Sequence, residues 1–286
     1  MRRAFEAQQA AYEAARAVLD RARARRDASW QQAAAENRRR AMVVLLSPFA
    51  VGIVLGVLGI FTIAPAIAGG LLIVGWAVVV ALSWRYAANK ARSALGGTDL
   101  GAAVAGGIVS ARGAERVEDL TESLCAGLGL PVPELRLLAD PAPNAVTLGR
   151  GASLATLVVT SALVDGLDRI ELEGVLAHEL SHVKRLDILT GSLGASPAGR
   201  VLDVCSGGRA QAYLVGRCRE VRADLAAVST TRYPPGLLAG LERVCTAATR
   251  EPSSVPPRVR ASTARLWLAP FTGGELSERA DILREL

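Results

Sequence analysis

Ala41 to Trp84 runs for 44 residues without a charged side chain, and this stretch limits what the chain can fold into more than any other. As one helix it would be about 66 Å long, roughly twice the hydrocarbon core of a bilayer. Two helices of about 20 residues joined by a tight turn fit instead. Pro65, in Thr62-Ile63-Ala64-Pro65, and Gly69-Gly70 are the two candidate turns. Soluble cores rarely run this long without a charge, so the stretch is expected to be a two-helix transmembrane hairpin in contact with the lipid bilayer. Arg38-Arg39-Arg40 precede it, and Arg85, Lys90 and Arg92 follow it. Positive flanks stay on the cytoplasmic side. The expectation is therefore a two-pass integral protein of a bacterial-type inner or cell membrane, with both ends cytoplasmic. Trp84 and Tyr86 stand where interfacial aromatic anchors belong.

The remaining composition narrows the function classes. Of a net charge of +6, residues 1–40 carry +5, from ten arginines and five acids. The rest of the chain is close to neutral, so no folded domain presents the basic face of a nucleic-acid binder, and no nucleic-acid partner is expected. Residues 1–40 lack Gly and Pro and favour helix, with a thin apolar stripe at Phe5, Tyr12, Ala15, Val18, Leu19 and Ala22. A solvated helix leading into the membrane, a short coiled coil and a basic helix lying on anionic lipid all fit this segment. Cys125, Cys205, Cys218 and Cys245 form no C-x-x-C pair, which argues against a zinc ribbon or a dense disulfide scaffold.

Residues 85–112 read as a connector, with loop points at Gly96-Gly97 and Gly106-Gly107. Residues 113–128 have helical spacing, ended by Leu130-Pro131-Val132-Pro133. Glu134–Leu138, Ala145–Leu148 and Thr156–Thr160 read as strands separated by turns, which predicts a small antiparallel sheet. Helices dominate from Arg169 onward. The expected fold is α+β and mostly helical. It comprises a basic N-terminal helix (1–40), the hairpin (41–84), the connector (85–112) and a cytosolic domain (113–286).

Both histidines of the chain fall in one motif, His178-Glu179-Leu180-Ser181-His182. On a helix they share a face, one turn apart. H-E-x-x-H is the pattern of zinc peptidases, in which two imidazoles bind the metal and the glutamate is general base toward a metal-bound water. Catalytic zinc takes three protein ligands, and no third histidine exists. Glu220 and Asp224, in Arg219-Glu220-Val221-Arg222-Ala223-Asp224, are again one turn apart. Glu220 could bind zinc while Asp224 hydrogen-bonds a ligand histidine; an ordinary charged helix face has the same spacing.

These motifs resemble those of the HtpX-like and CAAX-prenyl-endopeptidase-type membrane zinc metallopeptidases, a gluzincin family. The matching pieces are Leu130–Pro133, Asn144-Ala145-Val146-Thr147-Leu148-Gly149, Thr160–Leu163, Glu171–Val183, Asp187, and Glu220 to Asp224 as the family's E-x-x-A-D. Tyr233-Pro234-Pro235-Gly236 is similar, and the stretch from Thr263 to Arg279 is so more loosely. The resemblance implies a gluzincin-type peptidase domain with one Zn2+ per chain, bound by His178, His182 and Glu220. It implies Glu179 as the catalytic base, Asp224 as support to a ligand histidine, and polypeptide substrates, among them misfolded or membrane proteins. It also implies that a substrate adds as a strand beside Asn144 and Ala145.

Two departures from the family stand out. Leu186–Gly208 carries Asp187, Arg200 and Asp203 and cannot span a bilayer, so it reads as a loop over the cleft. The histidine that relatives often carry near the final arginine is missing; here Pro270-Phe271-Thr272-Gly273-Gly274 precede Arg279. Oxyanion stabilisation then falls to zinc, to Arg279, or to a tyrosine such as Tyr213 or Tyr233. The alternative reading is a catalytically weak or inactive membrane scaffold that retains a zinc site.

Overall fold

The computed structural model describes residues 2–58, 63–85, 97–215, 219–250, 253–256, 266–268 and 276–285. The stripe Phe5 to Ala22, the Trp84 side chain, Tyr86, Lys90, Arg92, Cys218 and the 270–274 segment lie outside the described residues or side chains.

The basic N-terminal segment and the first apolar segment form one continuous helix, α1 (Arg2–Leu58). Pro48 interrupts its hydrogen-bond ladder by removing the donor that would reach the Val44 carbonyl. Ser47 Oγ donates to that carbonyl instead (3.3 Å). The second apolar helix is α2 (Ile63–Arg85). Pro65 falls in its first turn, where a missing N–H costs nothing, and Gly69-Gly70 lies within it. Both expected turns therefore lie within helix α2.

The two helices cross closely. A Cβ on Gly69 would lie 2.7 Å from the Gly52 carbonyl oxygen and 2.8 Å from the Gly56 nitrogen, so only glycine permits the approach. Trp76 Nε1 donates to the Leu45 carbonyl across the pair (2.8 Å). An apolar hairpin is thus present, but among the described residues no helix is long and apolar enough to cross a membrane.

After the hairpin come β1 (Thr98–Asp99), α3 (Leu100–Ala105) and α4 (Ala111–Leu128). The first two occupy the stretch expected as a connector. The three expected strands form with the expected bounds: β2 (Glu134–Leu138), β3 (Ala145–Leu148) and β4 (Thr156–Thr160).

The sheet is not purely antiparallel. Its order is β1-β2-β4-β3, with β2 and β4 parallel and the outer pairs antiparallel. The reason is that β4 inserts between β2 and β3, which a simple meander would have paired directly. Successive side chains alternate between faces. Ala145, Leu157 and Val159 join the main core, while Val146, Leu148 and Val158 pack with Leu266 and Trp267 on the other side. Thr147 shares the face of Ala145.

Short α5 (Ser161–Gly166) leads into α6 (Arg169–Lys184). A capping box starts α6: Asp168 accepts from the Ile170 and Glu171 nitrogens, and Glu171 accepts from the Asp168 nitrogen (each 2.9 Å). Leu172, Val175, Leu176 and Leu180 of α6 are fully buried, so the helix runs through the core. Residues 187–206 are two helices, not a loop: α7 (Asp187–Ala195), which is almost wholly buried, and α8 (Pro197–Ser206). Then follow α9 (Arg209–Val215), α10 (Arg219–Thr231), α11 (Pro234–Arg250) and α12 (Leu276–Arg284).

The N-terminal helix is not a free solvated rod over its described part. Trp30 is buried in the main core, and Ala41 and Val44 pack with Leu193, Ala198 and Leu214.

Candidate metal centre

Helices α6 and α10 bring three donor atoms together. His178 Nε2 and His182 Nε2 are 3.2 Å apart. Glu220 Oε2 lies 3.2 Å from the first and 3.7 Å from the second. Both rings are buried, and their planes are nearly perpendicular, at 88°. The i, i+4 spacing puts the rings on one face of α6, and α10 crosses that face with Glu220 in its first turn. Among the described residues these three side chains form the group able to hold a metal ion.

The other ring nitrogens explain why the Nε2 atoms face one another. His178 Nδ1 lies 2.8 Å from Asp224 Oδ1, and His182 Nδ1 lies 3.2 Å from Asp187 Oδ2. A carboxylate only accepts, so it draws the ring proton to Nδ1 and leaves the Nε2 lone pair free. Two such lone pairs and a carboxylate oxygen converging on one point repel unless a metal ion or a proton lies between them. A borderline cation taking nitrogen and oxygen donors fits this set.

The charges agree. Burial opposes protonation of His178, but the Asp224 hydrogen bond and charge, with the Glu220 bond, outweigh it and raise its pKa to about 9. Burial works against the Glu220 carboxylate too, yet the Arg219 charge and both histidines hold its pKa well below the usual range. Asp187 is likewise pulled down to about 2, against its burial, chiefly by His182.

Several residues here were not legible in the motif. Asp187 reaches His182 because α6 ends in a turn with Leu186 at φ 57°, a left-handed conformation that costs a branched side chain about 1 kcal/mol or more. Thr147 Oγ1 donates to Glu179 Oε2 (2.7 Å); its only sequence signal is the period of two that puts it on the face of Ala145. Glu179 is fully buried, and its Oε1 has no hydrogen-bond partner among the described residues. Arg219 Nη1 donates to Glu220 Oε1 (2.6 Å).

Arg279 lies beside the centre, with Nη1 3.9 Å from Glu220 Oε2, but its donors are already engaged. Its Nε and Nη2 donate to the two Asp224 oxygens (2.7 and 2.8 Å), and its Nη1 donates to the Leu268 carbonyl (2.8 Å). This buried guanidinium fixes Asp224. Tyr213 is half-exposed, with the Arg40 guanidinium 6.0 Å from its ring centre, and Tyr233 is about half-exposed.

Asn144 and Ala145 depart from the expected substrate role. Both are buried, and the Ala145 carbonyl already accepts from the Leu268 nitrogen (2.9 Å). Trp267 pairs antiparallel with Val146. The chain's own 266–268 segment thus covers the start of the β3 edge, so a substrate strand cannot add there without displacing it.

Comparison with known proteins agrees with this arrangement. Residues 111–201, which hold β2 to β4, α6 and Asp187, match Peptidase family M48. A protein named Protease HtpX homolog from Salinibacter ruber is 31% identical over 190 residues, covering 58% of this chain and 68% of that protein. Proteins of the same name from Dictyoglomus thermophilum and Campylobacter curvus are 30% identical over 192 residues and 44% identical over 93. These cover 54% and 32% of this chain, and 61% and 32% of the respective relatives. The chain spans less than two thirds of the length of most of these relatives. No solved structure matches it. With two thirds of the Salinibacter protein shared and both histidines inside the matched stretch, the chain belongs to peptidase family M48, among its HtpX-like members.

Proposed function

We propose that this chain is a zinc-dependent endopeptidase attached to a membrane by the α1–α2 hairpin. The observation that carries the reading is the convergence of His178 Nε2, His182 Nε2 and Glu220 Oε2, with each histidine's other nitrogen facing a carboxylate. His178, His182 and Glu220 would hold one zinc ion, and Asp224 and Asp187 would orient the two rings. When bound, zinc acidifies water and polarises a carbonyl oxygen.

The chain's own residues supply the proton traffic. Glu179 Oε1 takes the proton of the attacking water, while Thr147 holds Oε2 and so fixes the plane of the carboxylate. Glu179 then gives that proton to the leaving amine nitrogen. Arg279 keeps Asp224 ionised and oriented. Unfolded or misfolded polypeptides, including membrane proteins, are the substrates this reading expects.

Membrane attachment rests on the exposed apolar side chains of the hairpin. Val51, Ile53 and Val57 on α1, and Leu71, Val74 and Val78 on α2, are each more than half exposed. A contiguous apolar surface of this kind on a soluble protein would be unusual. The flanking arginines favour the cytoplasmic side for the centre by the positive-inside rule.

Glu179→Gln is the test. The variant should keep its zinc and lose cleavage of unfolded casein by about 10²- to 10⁴-fold, the usual worth of a general base. Zinc-loaded Glu179→Gln that still cleaves at the wild-type rate overturns the mechanism.

A further inference from the structure

Helix α1 reaches the metal centre through one side chain. Asn37 is buried at 7% exposure on the face of α1 that packs on the domain. Its Nδ2 donates to Asp187 Oδ1 and to the Arg185 carbonyl, the latter at 2.9 Å. Both partners are acceptors, so only the amide nitrogen, with its two protons, satisfies them; the flipped amide would set oxygen against two oxygens. The second Asp187 oxygen accepts from Arg185 Nε (3.1 Å) and faces His182 Nδ1 (3.2 Å). One and two turns beyond Asn37, Ala41 and Val44 are buried beside Leu193 of α7, so the helix is seated where the bond is made.

We propose that Asn37 is a positioning residue of the metal centre: it holds Asp187, Asp187 holds His182, and the centre is complete only while α1 is docked on α7. This rests on the zinc reading above. The physical reason is accounting at a buried carboxylate. Asp187 is 4% exposed, and no water replaces a lost donor cheaply at such a site. Without Asn37 the carboxylate turns to recover a partner, and the His182 ring loses its fixed orientation. Partners of this kind around a ligand histidine set metal affinity. The arrangement also ties the centre to the helix that carries the apolar segment, so whatever unseats α1 from the domain loosens the metal.

The test uses the full chain in detergent micelles. Zinc affinity is read by competition with a chelating dye, and ligand geometry by the visible absorption of the cobalt(II)-substituted protein. Asn37→Asp keeps the shape and loses the donors; Asn37→Ala loses both. Each should weaken zinc binding by about 10-fold, the lower end for residues that support a ligand, and should shift the cobalt bands. Asn37→Ser, which retains one donor, should fall between these and wild type, and it decides the case if the other two fail to fold.

A double-mutant cycle separates positioning from mere packing. If Asn37 acts through Asp187, adding Asn37→Ala to Asp187→Ala costs less than twofold more in zinc affinity. An equal further loss on that background overturns the proposal, as does wild-type zinc affinity with unchanged cobalt bands in every Asn37 variant that folds. A wild-type chain that binds neither ion would instead overturn the zinc reading, and this proposal with it.

Discussion

His178 shows what a single residue here has to reconcile. It is buried, yet Asp224 and Glu220 keep a proton on its ring up to about pH 9, while a metal needs the Nε2 lone pair. Metal binding must therefore expel a proton, and apparent zinc affinity falls as pH drops below that value. Isothermal titration in buffers between pH 8 and 6.5 should show about tenfold weaker binding per pH unit, with about one proton released per ion. Binding that is flat across this range would remove Asp224 and Glu220 as the cause. Above pH 9 the ring is neutral and the dependence flattens. Arg279 completes the same network: a bidentate ion pair at 3% exposure is worth little as net stability but costly to break.

Helix α6 is the element that everything else positions. Its Gly174 is where α11 crosses: a Cβ there would lie 2.7 Å from the Leu237 nitrogen and 2.8 Å from its Cα. These are backbone atoms of a packed helix and cannot swing aside. Alanine gains about 1 kcal/mol of helix propensity over glycine, but overpacking a core typically costs about 1–3 kcal/mol. Gly174→Ala should therefore be destabilising, with a lower urea midpoint. Gly127, on α4, has open space around its Cβ position, so Gly127→Ala should raise the midpoint by about 0.5 kcal/mol of stability. Matching signs in the two variants would refute the close approach. The β3 strand matters for a different reason: its pleat sends Thr147 to Glu179 and Val146 to Trp267, so a one-residue slip would exchange the two faces.

At the scale of the molecule, two hydrophobic systems meet along α1. One is the ordinary core of the α+β domain, which takes in Trp30. The other is the hairpin, whose inner face packs through Ala41, Val44 and Trp76 on Leu193 of α7, Ala198 of α8 and Leu214 of α9. Its outer face is more than half exposed at Ile53, Leu71 and Val74 among the described residues. If lipid covers that face, the expressed full chain should sediment with membranes and stay in the pellet at alkaline carbonate. Release into the supernatant would overturn membrane attachment. The inner face explains how a change at the hairpin reaches the metal centre, since the seat of α1 and the Asn37 bond are one to two turns apart.

Much of this was determined by sequence alone, wherever a local rule sufficed. Spacing of four placed His178 and His182 on one face, and likewise Glu220 and Asp224. The alternating runs at 134–138, 145–148 and 156–160 became strands with those bounds. The uncharged run became two paired helices, as its length predicted. Tertiary structure alone decided the rest, because those contacts join residues far apart in the chain. Nothing local says that β4 inserts between β2 and β3, that Arg279 closes on Asp224, or that residues 266–268 cover the β3 edge. Nor does anything local tell Asn37, in a segment that reads as a plain charged helix, that it will end against Asp187, 150 positions away. Periodicity reports which face of an element is buried; which partner buries it depends on how the whole chain packs.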